Sequence, residues 1–501
     1  MRKMDVEWMV REELPITGEL QEENQDVSAA TGLSVNTAAI RITFFRAITG
    51  CEQPEDLCGV SNEIMEASLL GFAVIVTHSW NDAQKEERTH THVLEAVVRT
   101  PSVWATQPCG ASVPSGVCNY YVHCSRNFDI GVGDRQLKLH GAFFSQQNGI
   151  THACAHAALR AALMSSPVYN GPKITNRFIN ETLNLKPGAG KDGLNPIQMI
   201  AVAEKVGWQF QFANFNQRAD VDCPAFIYPL IESGYPVILG MERPPNVAHV
   251  VTVLGHTLNT DRWMPEARRG YAKEFPQLPS AKYISSSEWA DHFIVHDDNY
   301  GMYLTLPESD IRSMLLPRYN PNLHPNIALG LVPHDIVTGG FDAEQIAIAR
   351  LANLLELKPD PENNWFREIQ KHHDDGKVVC RTLALDVDTY LSAMAAASAE
   401  SGQEFTADEW KLLKASLKDR FWVTEIMIPH VYTGNKRKLG DIITRPDFDV
   451  KKPETMQPVS FAWLPGMAWV GGESSPRSWP FYSHIPLLRG VDGPGCGPSD
   501  W

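Results

Sequence analysis

The chain has 501 residues and a formal net charge of −15, with 43% apolar and 21% charged residues. That length exceeds one ordinary core and implies two or three domains, and the composition excludes wholesale disorder. The acidity argues against nucleic acid as the main partner, because neutralising phosphates takes a basic surface.

The nine cysteines are odd in number and scattered, which is not a disulfide framework and suits a reducing compartment. The N-terminus "MRKMDVEWMVREELPITGEL" is broken by charges and has no apolar signal-peptide core, and no apolar run is long enough to span a membrane. The cytoplasm is the expected location.

Residues 1–140 read as β-rich. "TAAIRITFF", "LLGFAVIVTHSW" and "HVLEAVVRT" are β-branched and aromatic runs separated by polar stretches. Short helical pieces fall near 60–70, and no chemical motif stands out. Cys109, Cys118 and Cys124 with His123 contain no CxxC pair, so they read as small buried residues rather than a zinc site.

From residue 141 the pattern changes. "HACAHAALRAALMS" predicts a helix from His152 to about Ser165, with Thr151 as N-cap and "SSP" as the stop. "NPIQMIAVAEKVGW" announces a second helix, capped by Asn195, with Pro196 in the first helical position and Gly207 after its end. Strands then follow in "YPVILGM", "AHVVTVLGH", "HFIVHDD" and "GMYLTLP", interrupted at 257–283 by a polar insertion rich in proline. Helices before an antiparallel sheet give an α+β domain over 141–325.

Residues 326–501 read as a second α+β region. "FDAEQIAIARLANLLEL" is a helix with Asp342 and Gln345 in capping-box register, and "TADEWKLLKASL" places Thr406 and Glu409 likewise. "FWVTEIMI" and "LGDII" form a hairpin across "TGNKRK", with "GNKRKLG" as a solvated tip.

Cys154 opens the helix predicted at 152–165. A thiol is a weak nucleophile until ionised, and a helix N-terminus favours the ionised form, as does a histidine that holds the proton. "NVAHVVTVLGH" offers His249 at the edge of an apolar strand, and "FIVHDDNYG" offers Asp297 at the end of the next to orient the ring. A backbone N–H and an upstream amide would stabilise an oxyanion. His256 is the second choice of base, and Asp298 and Asn299 are second choices to Asp297. His152 and His156 read as surface or packing residues.

This order resembles the papain-like cysteine peptidases, and most closely the bacterial branch typified by double-glycine leader peptidases. The resemblance rests on a glutamine before a Cys-opening helix, "GYPVILG" at 234–240, "HVVTVLG" at 249–255 and "DDNYG" at 297–301, and covers about 141–307. It implies a Cys-bearing helix packed on an antiparallel sheet that carries His and Asp. A β-rich domain (1–140) and an α+β domain (326–501) then flank the catalytic one.

Carried over, Cys154 is the nucleophile, His249 the base and Asp297 the orienter. Gln147 is the oxyanion donor, with Gln146 second, since Asn148 occupies the family's usual glutamine position. Ala155 and Asp298 stand where the family often has Gly and Pro.

The implied function is a thiol hydrolase, a cysteine peptidase acting on a peptide or protein docked by the flanking domains, with no cofactor or metal. An acyl transferase or deamidase would use the same triad, and an idle papain-like binding module would use none of it. A metal-dependent hydrolase finds no HExxH or tight His/Asp cluster in the sequence.

Overall fold

The computed structural model describes residues 6–48, 51–100, 120–186, 189–217, 221–243, 247–258, 268–269, 281–312, 324–357, 363–401, 405–435, 437–453, 456–479 and 488–489. Cys109 and Cys118, and most of the insertion, lie outside them. The chain is α+β, built on three main sheets that are antiparallel apart from one parallel pair in the third. Among the described residues no helix is long and apolar enough to cross a membrane.

The first sheet has six strands, in the spatial order Trp8–Glu13, Asn36–Phe45, Leu69–Asn81, Glu87–Val98, Arg135–Phe144 and Arg126–Val132. The expected boundary at 140 runs through Arg135–Phe144. The reason is packing. Phe45, Val76, Leu94 and Leu139 of this sheet share one apolar core with Leu159, Ala162 and Leu163 of the helix Cys154–Ser165. The β-rich part therefore covers one side of the cysteine helix and is continuous with its core.

The second sheet lies on another side of that helix. Its order is Gly301–Pro307, His292–Asp297, Val247–Thr257, Val237–Arg243, His324–Pro333 and Trp208–Asn214, with Tyr120–Tyr121 paired to Val247–Thr257. His324–Pro333 lies inside this sheet, between two earlier strands, so the expected boundary at 325 cuts a strand. The Thr252 hydroxyl donates to the Ala158 carbonyl at 3.0 Å and ties the histidine strand to the cysteine helix.

The third sheet contains Val379–Asp386, Arg420–Met427, Gly440–Thr444, Val459–Leu464, Gly466–Val470 and Arg477–Trp479. The insertion joins this sheet rather than only projecting over a cleft: Lys282–Ser285 pairs in parallel with Val379–Asp386. Arg420–Met427 and Gly440–Thr444 pair as expected, but a short helix, Pro429–Asn435, connects them. Lys438 is buried there, not solvated. It sits 2.8 Å from Asp441 and 3.2 Å from Glu425.

Local signals vary in how well they forecast these elements. The capping box of Asn195 and Gln198 starts the helix Pro196–Lys205, and that of Thr406 and Glu409 starts Ala407–Ser416. The helix Gly340–Glu356 instead begins two residues before Asp342, at a Gly339 cap with no side-chain bond.

Candidate active site

The helix Cys154–Ser165 starts at its cysteine, behind an Ala153 cap that makes no side-chain bond. The predicted start at His152 with a Thr151 cap is therefore two residues early. Asn148 is the cause. Its Oδ1 accepts N–H bonds from Ile150 and Thr151 at 2.8 Å each and from His152 at 3.3 Å. Its Nδ2 donates to Thr151 Oγ1 at 2.8 Å and to Glu23 Oε1 at 2.6 Å. Thr151 is thus held in the loop that precedes the helix, and Cys154 takes the first helical position, half-buried. There it lies at the positive end of the helix, where first-turn N–H groups have no intrahelical acceptor.

His249 stands on Val247–Thr257 with its side chain 20% exposed, and its Nε2 lies 3.1 Å from Asp297 Oδ1. Cys154 faces the same ring closely enough to favour its protonated form. Because Nε2 is engaged by the carboxylate, Nδ1 is the nitrogen left for the sulfur. Burial works against a charged ring, but the Asp297 hydrogen bond and the neighbouring Cys154 outweigh it and raise His249 to about 10.

Burial alone would raise Asp297. The His249 hydrogen bond and the Asn299 N–H, 2.9 Å from Oδ1, reverse this and keep it below its ordinary value. The turn that follows returns at Gly301, whose φ of +123° suits glycine.

The second-choice residues separate clearly. Asp298 is buried beside the pair, its Oδ1 3.9 Å from His249 Nε2, and burial raises it to about 6. Neither of its oxygens has a hydrogen bond of ordinary geometry. The side chain lines a small cavity with Ser145, Thr252 and His296. Asn299 belongs to the site in another way: its Oδ1 accepts from Gln147 Nε2 at 3.0 Å. His256 is remote from Cys154's partners and lies in the core, with Nε2 2.6 Å from Glu232 Oε1.

The two glutamines are divided by strand pairing. Gln146 extends the first sheet: its N–H donates to Val93 O and its Oε1 accepts from Val93 N, each at 2.9 Å. Gln147 is left facing the Asp297–Asn299 turn. One amide hydrogen goes to Asn299 and the second stays available.

His152 and His156 are both fully buried, so of the two expected roles they take packing and not surface. His152 Nε2 lies 3.2 Å from Asn148 N and from Gln146 O, and His156 donates to Asn180 Oδ1 at 3.0 Å. Burial lowers His152 to about 3 and His156 to about 4, leaving both rings neutral.

Known protein families, curated proteins and solved structures offer no match to this chain. The functional reading rests on the site itself: a thiol at a helix N-terminus, an imidazole whose protonated form that thiol favours and a carboxylate 3.1 Å from the imidazole, drawn from three separated segments. This set can activate a sulfur nucleophile and return a proton to a leaving group.

Asn148 is the residue that sequence reasoning passed over. It stands where papain-like peptidases usually have a glutamine. The signal it carried was an Asn three residues ahead of a Thr in a glycine-containing loop, the pattern of a side chain that closes its own turn.

Proposed function

We propose that the chain is a cysteine peptidase-like thiol hydrolase that cleaves a peptide or protein through an acyl-enzyme on Cys154. The observation that carries this is the single imidazole of His249, bonded to Asp297 and faced by Cys154.

In this reading the Cys154 sulfur attacks the scissile carbonyl carbon, and His249 holds the thiol proton. The carbonyl oxygen becomes an oxyanion beside the Cys154 backbone N–H and the free Gln147 amide hydrogen. As the tetrahedral species collapses, His249 gives its proton to the departing amine. Water, deprotonated by the same ring, then attacks the thioester and releases the acid. Asp297 keeps Nε2 engaged and so turns Nδ1 toward the sulfur.

The test is labelling of the full chain with a peptide-based thiol-reactive probe, followed by site mapping. Modification should fall on Cys154, disappear in Cys154→Ala and slow by about 10²-fold or more in His249→Ala, the range of a lost general base. Equal labelling of the other cysteines, or labelling indifferent to His249, overturns the proposal.

A further inference from the structure

A second cluster of ionisable groups lies in the first sheet, behind the loop that leads to Cys154. Strand alternation puts His90 and His92 on one face of Glu87–Val98, and the register sets His78 directly opposite His90. The helix Glu19–Thr31 covers that face with Leu20, Glu23 and Val27. A carboxylate therefore takes the central place in an otherwise apolar stripe. Glu23, His78 and His92 are all buried, at 3%, 0% and 3% exposure, and each offers one ligand atom within 4.8 Å of the other two.

Several nitrogens of this cluster are buried without a hydrogen bond. Thr37 Oγ1 donates to Asn24 Oδ1 at 2.9 Å, so toward the His78 ring, 2.8 Å away, it can only accept. His78 Nδ1 therefore carries the hydrogen. Its Nε2 presents a bare lone pair, buried and without a hydrogen bond. Neither nitrogen of His92 makes a hydrogen bond of ordinary geometry, its Nε2 having only a long contact to Glu23, and Nε2 of His90 is buried without one.

His92 Nε2 stands 3.5 Å from Glu23 Oε1. In a tetrahedral zinc site with bonds of about 2.0–2.1 Å, ligand atoms lie roughly 3.3 Å apart. Buried polar atoms left without partners are rare, and two imidazole nitrogens gathered with one buried carboxylate call for a shared cation.

We propose that Glu23, His78 and His92 bind a zinc-like divalent transition cation that braces the loop carrying Gln147 and Cys154. Two imidazoles and one carboxylate favour such an ion over calcium or magnesium, which take oxygen ligands. Thr37 orients His78 from the outer shell, as hydrogen-bonded partners of metal-bound histidines do. The path to the site is short. Glu23 Oε1 accepts from Asn148 Nδ2, and Asn148 gathers the N–H groups that set the start of the cysteine helix. The ion is structural, and the proposal stands whatever reaction Cys154 performs. The sequence carried one sign of it, His90-Thr91-His92, two histidines at strand spacing.

The test uses the full chain, stripped with a chelator, then titrated with Zn²⁺ and, as a coloured substitute, Co²⁺. One equivalent should bind, Zn²⁺ should raise the melting temperature, and Co²⁺ should give the visible absorption of a low-symmetry nitrogen–oxygen site. Glu23→Gln keeps the shape and the acceptor for Asn148, and should abolish Co²⁺ binding with the circular dichroism spectrum retained. His92→Ala should do the same, and Thr37→Val should weaken affinity by about 10- to 100-fold. Failure of the folded wild-type chain to bind Zn²⁺ or Co²⁺ overturns the proposal. So does binding that survives Glu23→Gln and His92→Ala but is lost in His249→Ala or His256→Ala, since those residues belong to the other two carboxylate–histidine groups.

Discussion

Asp298 places a second carboxyl beside the His249–Asp297 pair without giving it a firm hydrogen bond, and the protein meets that cost by favouring the protonated form. Its value is raised from 3.8 to about 6, so between those limits the folded chain binds more protons than the unfolded one. Stability from this group is present at low pH and falls as pH rises through that window. Asp298→Asn should then gain on the wild type between pH 4 and 6, by up to about 3 kcal/mol, and hold that advantage above it. Denaturant midpoints at pH 4.5 and 7.5 measure this, and a constant difference would show that the carboxyl is solvated.

His249, also raised, loses its contribution at higher pH, between 6.5 and about 10. Asp297, which is lowered, loses its contribution as pH falls. At Gln147, substitution by alanine should reduce turnover of a peptide substrate by about 10- to 1000-fold with probe labelling largely intact, because the lost contact belongs to the transition state. Gln146→Ala should instead lower stability with little effect on turnover, since its amide pairs with Val93.

Among elements, the loop from Gln146 to Ala153 depends most on one side chain. Asn148→Ala removes the acceptor of three backbone N–H groups and leaves buried Glu23 without its 2.6 Å partner. A loss of about 2–4 kcal/mol follows from stranding such groups, together with slower labelling of Cys154. Chemical denaturation and the probe assay read the two effects separately.

The same loop shows where sequence reading stops. Thr151 looked like a cap because Ser and Thr before an apolar helix usually are. What recruited its hydroxyl was Asn148, a competitor that propensity does not rank. Asn195 with Gln198 had no such competitor, and that helix starts where its capping box says. The segments bearing Cys154, His249 and Asp297 were legible because each carries a residue type foreign to its surroundings. The split between Gln146 and Gln147 was not, because it depends on which of them pairs with a strand about fifty residues away.

For the molecule as a whole, the units of the expected three-domain division share buried groups. Arg381 of the third sheet reaches Glu232 at 2.6 Å, at the end of the helix Cys223–Glu232 under the second sheet, and Glu425 at 2.9 Å. Burial opposes a charged Arg381, but the two carboxylates hold it in that form. Arg381→Met would leave Glu232 and Glu425 without their common cation, a loss of about 3–5 kcal/mol. In calorimetry the melting of the second and third sheets should shift down together. A shift of the third alone would show that they unfold independently. Composition and motif order indicated α+β and a sheet following helices. They could not indicate which strand enters which sheet, since pairing partners far apart leave no local mark.

The position of His324–Pro333 also sets a timetable. During synthesis Cys154, His249 and Asp297 all emerge before the strand that fills the gap between Val237–Arg243 and Trp208–Asn214, and folding follows the order of emergence only where partners are already present. A ribosome-bound chain halted before residue 324 therefore holds Cys154, His249 and Asp297 on an incomplete sheet. Halted chains of increasing length, exposed to the thiol probe, should remain unlabelled at Cys154 until that strand is free and then acquire label abruptly. The proposed peptidase would be silent throughout the making of its own reactive parts, and labelling that begins as soon as Asp297 emerges would disprove that delay.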